Sequence, residues 1–308
     1  MLKLAVPDMI SNSYFPAQAA VALGFFASEG LDVELAMIFP VSKAYQALQD
    51  GSIAFVGGAA HAALAVFPDW KGVKLLCAQA QGMYWFLVMD SRRGGRRGDL
   101  GVLRDCRIGA APWVEMGLRR LLVVAGLDME RRGISIVPIP AASGAGVNFG
   151  LNAAQALEDG IIDGFWANGM GAEIAARRGV GSVILDIRRG DGPASCFDFT
   201  FASLAASDRL IAQSPDVAAA AVRAIAKTHA ALKAEVSLAA EVGRGLFPDT
   251  QAALITELIR RDLPYYDARI TPESISGLNA FARDLGLLHA DVAHADVVAT
   301  QFSAAWAG

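Results

Sequence analysis

Short β-branched and aromatic runs alternate with amphipathic or alanine-rich stretches along most of this chain, and the alternation breaks off and restarts once. Such alternation specifies β-α-β units around a mainly parallel sheet, because parallel neighbours need a crossover that a helix provides. The first block predicts strands over 2–6, 33–39, 53–56, 73–80 and 85–89, with helices over 15–29, 42–50 and 59–67. A charged, glycine-rich loop, Arg92-Arg93-Gly94-Gly95-Arg96-Arg97-Gly98, then interrupts the pattern. It resumes with strands over 107–111, 134–139, 162–166 and 183–187 and helices over 114–125, 151–159 and 169–178. A last extended run over 199–205 precedes a purely helical remainder. There Ser214-Pro215 and Thr271-Pro272-Glu273 read as helix starts, with proline at the first helical position.

The interruption predicts two α/β lobes, the first discontinuous: residues 1–88 with 199–308 and the C-terminal helices, and an inserted second lobe over 89–198 that includes the chain crossings. A chain of 308 residues is long enough for this. Its composition, 54% hydrophobic and 19% charged, is that of a packed protein rather than a disordered one.

The exclusions follow from charge and motif. A net charge of −4 with no basic face beyond the Arg/Gly loop makes nucleic acid an unexpected partner. Cys77, Cys106 and Cys196 lack a C-x-x-C pair, so neither a disulfide framework nor a zinc knuckle is expected. His61, His229, His289 and His294 are too scattered to suggest a metal. Phosphate-loop, zinc-protease, nucleophile-elbow and dinucleotide motifs are missing, and Gly144-Ala145-Gly146 with Gly150 has the wrong spacing for the last. No cofactor or catalytic residue is therefore expected. No run approaches the roughly 18 apolar residues of a membrane span. Pro7, Asp8 and Asn12 interrupt any continuous apolar leader in the sequence as written.

In open parallel sheets, ligands bind where strands end and helix N-termini begin. Aromatic and small polar residues concentrate at those junctions here. The candidate ligand contacts are Asn12, Tyr14, Phe39, Gly58, His61, Tyr84, Trp113, Glu115, Trp166, Asn168 and Asp198. Trp113 and Trp166 are expected to form an aromatic wall, with Glu115 and Asp198 accepting from ligand N–H groups. These junctions show no arginine, which favours a flat, uncharged or weakly basic heterocycle over a compact anion.

Three segments carry a family resemblance. Ser13-Tyr14-Phe15-Pro16-Ala17, then Gly24-Phe25-Phe26 and Glu29-Gly30-Leu31-Asp32-Val33-Glu34, resemble the opening of the nitrate/sulfonate/taurine and thiamine-pyrimidine-precursor substrate-binding proteins. Ala47-Leu48-Gln49-Asp50-Gly51-Ser52-Ile53-Ala54-Phe55 resembles their A-L-x-x-G-x-[IV]-D-F segment, with Ala54 replacing the usual aspartate. Ala156-Leu157-Glu158-Asp159-Gly160 with Ile162-Asp163-Gly164-Phe165 resembles a second copy.

The resemblance implies a two-lobed type II periplasmic-binding fold, with mixed but mainly parallel sheets and a ligand cleft between the lobes. It also implies a solute receptor of an ABC importer, partnered by a permease and binding a small organic molecule, in the periplasm if a leader was removed and in the cytoplasm if the chain is natively leaderless; a monomer is expected. An enzyme on the same fold, pyrimidine-precursor synthase-like or decarboxylase-like, stays open as an alternative. Lys43 and His61 could imitate its lysine and histidine, but the cysteine cluster of the synthase branch is missing. A regulatory sensor would need a DNA-binding domain for which no residues remain.

Overall fold

The computed structural model describes residues 1–139 and 148–307, so the Gly144-Ala145-Gly146 cluster lies outside the described residues. It divides into two compact units, Met1–Gln81 with Thr200–Gly308, and Gly82–Phe199.

The first unit is built on β1 (Leu2–Val6), β2 (Val33–Met37), β3 (Phe55–Ala59), β4 (Val73–Ala80) and a late strand, β10 (Ala202–Ser207). The second holds β5 (Phe86–Asp90), β6 (Cys106–Ala110), β7 (Ile134–Val137), β8 (Gly164–Ala167) and β9 (Gly181–Asp186). The sheet orders are β2-β1-β3-β10-β4 and β7-β6-β8-β5-β9. In each sheet one strand runs against the rest: β10 is antiparallel to β3 and β4, and β5 to β8 and β9. Both reversed strands are the first that the chain lays down after passing from one unit to the other.

That placement moves the first expected boundary. Met89 pairs with Gly164 and Ser182, so its strand belongs wholly to the second sheet and the chain crosses at Gln81/Gly82 rather than at 88/89. The two ends of the second unit are tied together where Met83 N–H donates to Phe197 O at 2.8 Å. Gly82 is required beside that tie. It has φ +70°, and a Cβ there would lie 2.3 Å from the Phe197 ring.

In the first unit the helices are α1 (Phe15–Ala22), α2 (Phe25–Ser28) and α3 (Val41–Asp50). In the second they are α4 (Glu115–Val124), α5 (Phe149–Glu158) and α6 (Gly169–Arg177). The remainder is α7 (Asp208–Gln213), α8 (Pro215–Ala234), α9 (Leu238–Leu246), α10 (Asp249–Asp262), α11 (Pro272–Asp284) and α12 (His294–Val297).

The helix expected over 15–29 breaks into two at Gly24, which takes the left-handed conformation (φ +75°). The helix expected over 59–67 is a 3-10 turn, Ala60–Ala65, whose first N–H is drawn to Phe201 O at 3.0 Å. α8 buries a stripe of small residues, among them Ala218, Ala221 and Ala224, which lets the helix settle closely on its neighbours. No helix among the described residues is long and apolar enough to cross a membrane.

Candidate functional site

In the first unit the carboxyl end of β1 opens into a loop whose polar side chains are buried: Asp8, Ser11, Asn12 and Ser13 are each 6% exposed or less. Burial on this scale is tolerable only when hydrogen bonds replace water. Most of the loop's groups have them. Asp8 Oδ1 accepts from Ile10 N, Ser11 Oγ accepts from Ser13 N, and Gln18 Nε2 donates to the carbonyls of Asp8 and Met9. Asn12 Nδ2 donates at 2.7 Å to Asp262 Oδ2, a carboxylate supplied by the end of α10.

The first turn of α1 is held by Gln79 of β4, whose Oε1 accepts from Ala17 N at 3.2 Å while its Nε2 donates to Ser203 O. Ser13 Oγ differs: it is sealed and has no hydrogen-bond partner among the described residues. Tyr14 stands at the N-cap of α1, 6% exposed. Phe39, at the end of β2, is partly exposed and precedes Pro40 through a cis peptide bond.

Two expected contacts of this unit turn out to be structural. Gly58 lies inside β3 instead of beyond it, and a Cβ there would meet Val41 Cγ2 at 3.0 Å and Val56 Cγ1 at 3.2 Å, so its absence lets α3 close on the sheet. His61 is fully buried, with Nδ1 3.0 Å from Thr200 Oγ1 and its ring edge-on to Phe281 at 5.4 Å. Lys43 is exposed on α3.

In the second unit the junction from β6 to α4 carries the most unusual backbone of the candidate set. Trp113 has φ +71°, a left-handed conformation that costs a bulky L-residue about 1–2 kcal/mol. Its side chain is partly exposed. Glu115 opens α4, where the N-terminal dipole normally favours a carboxylate. Burial outweighs the backbone N–H groups of Glu115 and Trp113 and the Arg119 charge, which favour the anion, and raises its pKa above the ordinary value, while Oε2 is sealed without a hydrogen-bond partner among the described residues.

The other expected contacts separate. Trp166 does not join Trp113 in an aromatic wall. It is fully buried in β8, its indole N–H donates to Val114 O at 3.1 Å, and its ring packs edge-on to Trp85 at 6.0 Å. Asn168 caps α6, its Oδ1 accepting from Gly171 N at 3.1 Å. Asp198 is exposed on a 3-10 turn, where partial desolvation raises its pKa. Tyr84 is 1% exposed, and the Arg188 guanidinium carbon lies 5.6 Å from its ring centroid, a cation–π contact.

Arg188 corrects the expectation that no cation lies at these junctions, since it follows β9 directly and is only 4% exposed. Sequence reading passed over Arg188, Gln79 and Asp262 as site residues. Arg188 fell in the stretch expected to carry the chain out of the inserted lobe, and Asp262 lies 250 residues from its partner Asn12. Among the described residues no group of three His, Cys, Asp or Glu side chains is placed to hold a metal.

No family model matches this chain, and no curated protein does. Solved structures do. A protein from Bordetella bronchiseptica RB50 is similar at TM-score 0.77 and 20% identity, over 98% of this chain and 95% of that one. The sulfonate-binding protein SsuA of Methylobacillus flagellatus KT, a putative ABC transporter component by its description, is similar at TM-score 0.66 and 18% identity, over 98% and 92%. The periplasmic nitrate-binding protein NrtA of Synechocystis PCC 6803 is similar at TM-score 0.71 and 14% identity, over 98% and 87%. This chain has the periplasmic-binding-protein fold. The fold leaves the chemistry to be argued from the residues.

Proposed function

We propose that this protein is a solute-binding protein of an ABC-type importer, working in the periplasm with a permease and holding a small organic ligand with a flat, aromatic or N-heterocyclic body. The strand-end loops of both units are the proposed contacts, with Asn12, Tyr14 and Phe39 in the first and Trp113, Glu115 and Asp198 in the second. Trp113 and Glu115 together carry the reading. The left-handed backbone at Trp113 and, two residues on, a Glu115 oxygen without a hydrogen-bond partner among the described residues each cost the fold, and such costs collect where a ligand repays them.

Glu115 Oε2 and the Ser13 hydroxyl are sealed polar atoms without a hydrogen-bond partner among the described residues, and a ligand that uncovers them on entering would satisfy the carboxyl oxygen with an N–H and the hydroxyl with a polar group. Arg188 widens the ligand class, because a cation this buried tolerates an acidic substituent on an otherwise flat molecule. The enzyme alternative gains nothing from the cysteines. Burial raises all three thiols, Cys196 to about 12, so none supplies a thiolate at neutral pH.

A thermal-shift screen of amines, pyrimidines, aromatic acids and sulfonates identifies the ligand by the stability it adds. Calorimetry on two variants then tests the contacts. Trp113→Ala is expected to lose about 0.5–1.5 kcal/mol beyond the lost area, and Glu115→Gln about 1.5–3 kcal/mol. Wild-type affinity in both would move the site elsewhere.

A further inference from the structure

The first unit carries a pocket of about 410 Å³ away from its strand-end loops, between the C-terminal half of α8, the turn at 266–269 and the 3-10 segment Thr300–Ala307. Pockets of this size suit small molecules. His229 supplies its most telling group. The imidazole is 4% exposed, lies stacked on Tyr266 at 5.3 Å, and has Nε2 2.8 Å from Gln79 O.

A carbonyl oxygen only accepts, so Nε2 carries the proton, and Nδ1 of the neutral ring is left as a lone-pair acceptor. Burial supports that neutral state, holding the pKa at about 4. Nδ1 has no hydrogen-bond partner among the described residues, and it is not among the sealed polar atoms.

The charge around it is asymmetric. Asp267 is taken by Arg269, whose Nε lies 3.0 and 2.9 Å from the two carboxylate oxygens, so that pair is neutral. Lys233, one helical turn beyond His229, has no ion-pair partner among the described residues and leaves the lining with a net positive charge. Trp306, its N–H fixed on Leu76 O at 3.0 Å, adds an apolar wall.

We propose that this pocket is a second binding site, for a small organic acid that also carries a hydroxyl or amide N–H. The donor goes to His229 Nδ1 and the carboxylate to Lys233. A simple acid leaves the imidazole unused, and a simple alcohol leaves the ammonium unused.

The test uses the full chain with ¹⁵N-labelled histidine, titrated with 3- and 4-hydroxybenzoate, benzoate and phenol, reading the His229 Nδ1 resonance. A hydroxybenzoate is expected to shift that resonance saturably, with benzoate and phenol each binding about 2–10-fold more weakly. Lys233→Ala, an exposed change that leaves the fold intact, is expected to weaken the hydroxybenzoate at least about 5-fold. Glu115→Gln is expected to leave the shift unchanged, which separates this site from the proposed importer site. No saturable shift with either isomer overturns the proposal, as does equal affinity in Lys233→Ala or equal affinity for the hydroxybenzoate and benzoate.

Discussion

Replacing Trp113 by alanine and by glycine separates its backbone from its side chain. Both variants delete the indole and every contact it makes, so the difference between them reports the conformation at φ +71° alone. At an ordinary position alanine is the more stable of the two by about 0.5–1 kcal/mol, because glycine loses more backbone freedom on folding. In the left-handed region a Cβ costs about 1–2 kcal/mol, and glycine escapes that cost. The two terms oppose each other, and the strain is the larger. Trp113→Gly is therefore expected to be about 0.5–1 kcal/mol more stable than Trp113→Ala, the reverse of the usual order. Urea unfolding followed by circular dichroism, with equal slopes for the two variants, measures the difference from the midpoints. Both variants are expected to bind the screened ligand equally weakly, since neither has the ring. If alanine equals or exceeds glycine in stability, position 113 is not strained, and the argument that a ligand repays a stored cost fails.

The helix contact beneath Asn168 makes a second prediction: a Cβ on Gly171 would lie 2.7 Å from Gly150 O and 2.8 Å from its Cα, so Gly171→Ala is expected to lose about 1–3 kcal/mol in the same urea assay. Glu115 has a folded pKa raised by burial, so its favourable contribution is complete below the unfolded value near 4.5 and disappears as pH rises through the raised one. Glu115→Gln should accordingly gain stability relative to wild type between pH 4 and 7, and a constant difference across that range would contradict the burial. His229 runs the opposite way. With its pKa lowered from 6.5 to about 4, the fold is expected to lose about 3 kcal/mol as pH falls across that interval, and His229→Gln should flatten the loss in pH-dependent unfolding.

The alternation of strands and helices was legible because each element carries its own period and punctuation, and the break around the Arg/Gly loop announced two units. The boundary was less so. Residues 85–89 read as a strand whichever sheet they join, and only pairing with Gly164 and Ser182 assigns them. Trp166 and Trp113 look alike as aromatics near strand ends, yet the indole N–H of Trp166 finds Val114 O and the ring goes into the core. That outcome depends on where the following loop returns, which no local pattern encodes. Gly58 was displaced from the junction because β3 runs on through Ala59, its glycines tolerated where α3 presses close. Arg188 shows the converse error: the junctions were expected to show no arginine, yet this guanidinium lies against the Tyr84 ring and out of water.

The central claim, that this protein binds a small organic solute and releases it unchanged, is tested most directly by isothermal titration of the wild-type chain with the compound that most raises its melting temperature, with the compound recovered afterwards. Saturable binding, and recovery of the compound intact, is the predicted result. Heat only from inorganic anions such as nitrate, or recovery of a chemically altered product, would contradict it.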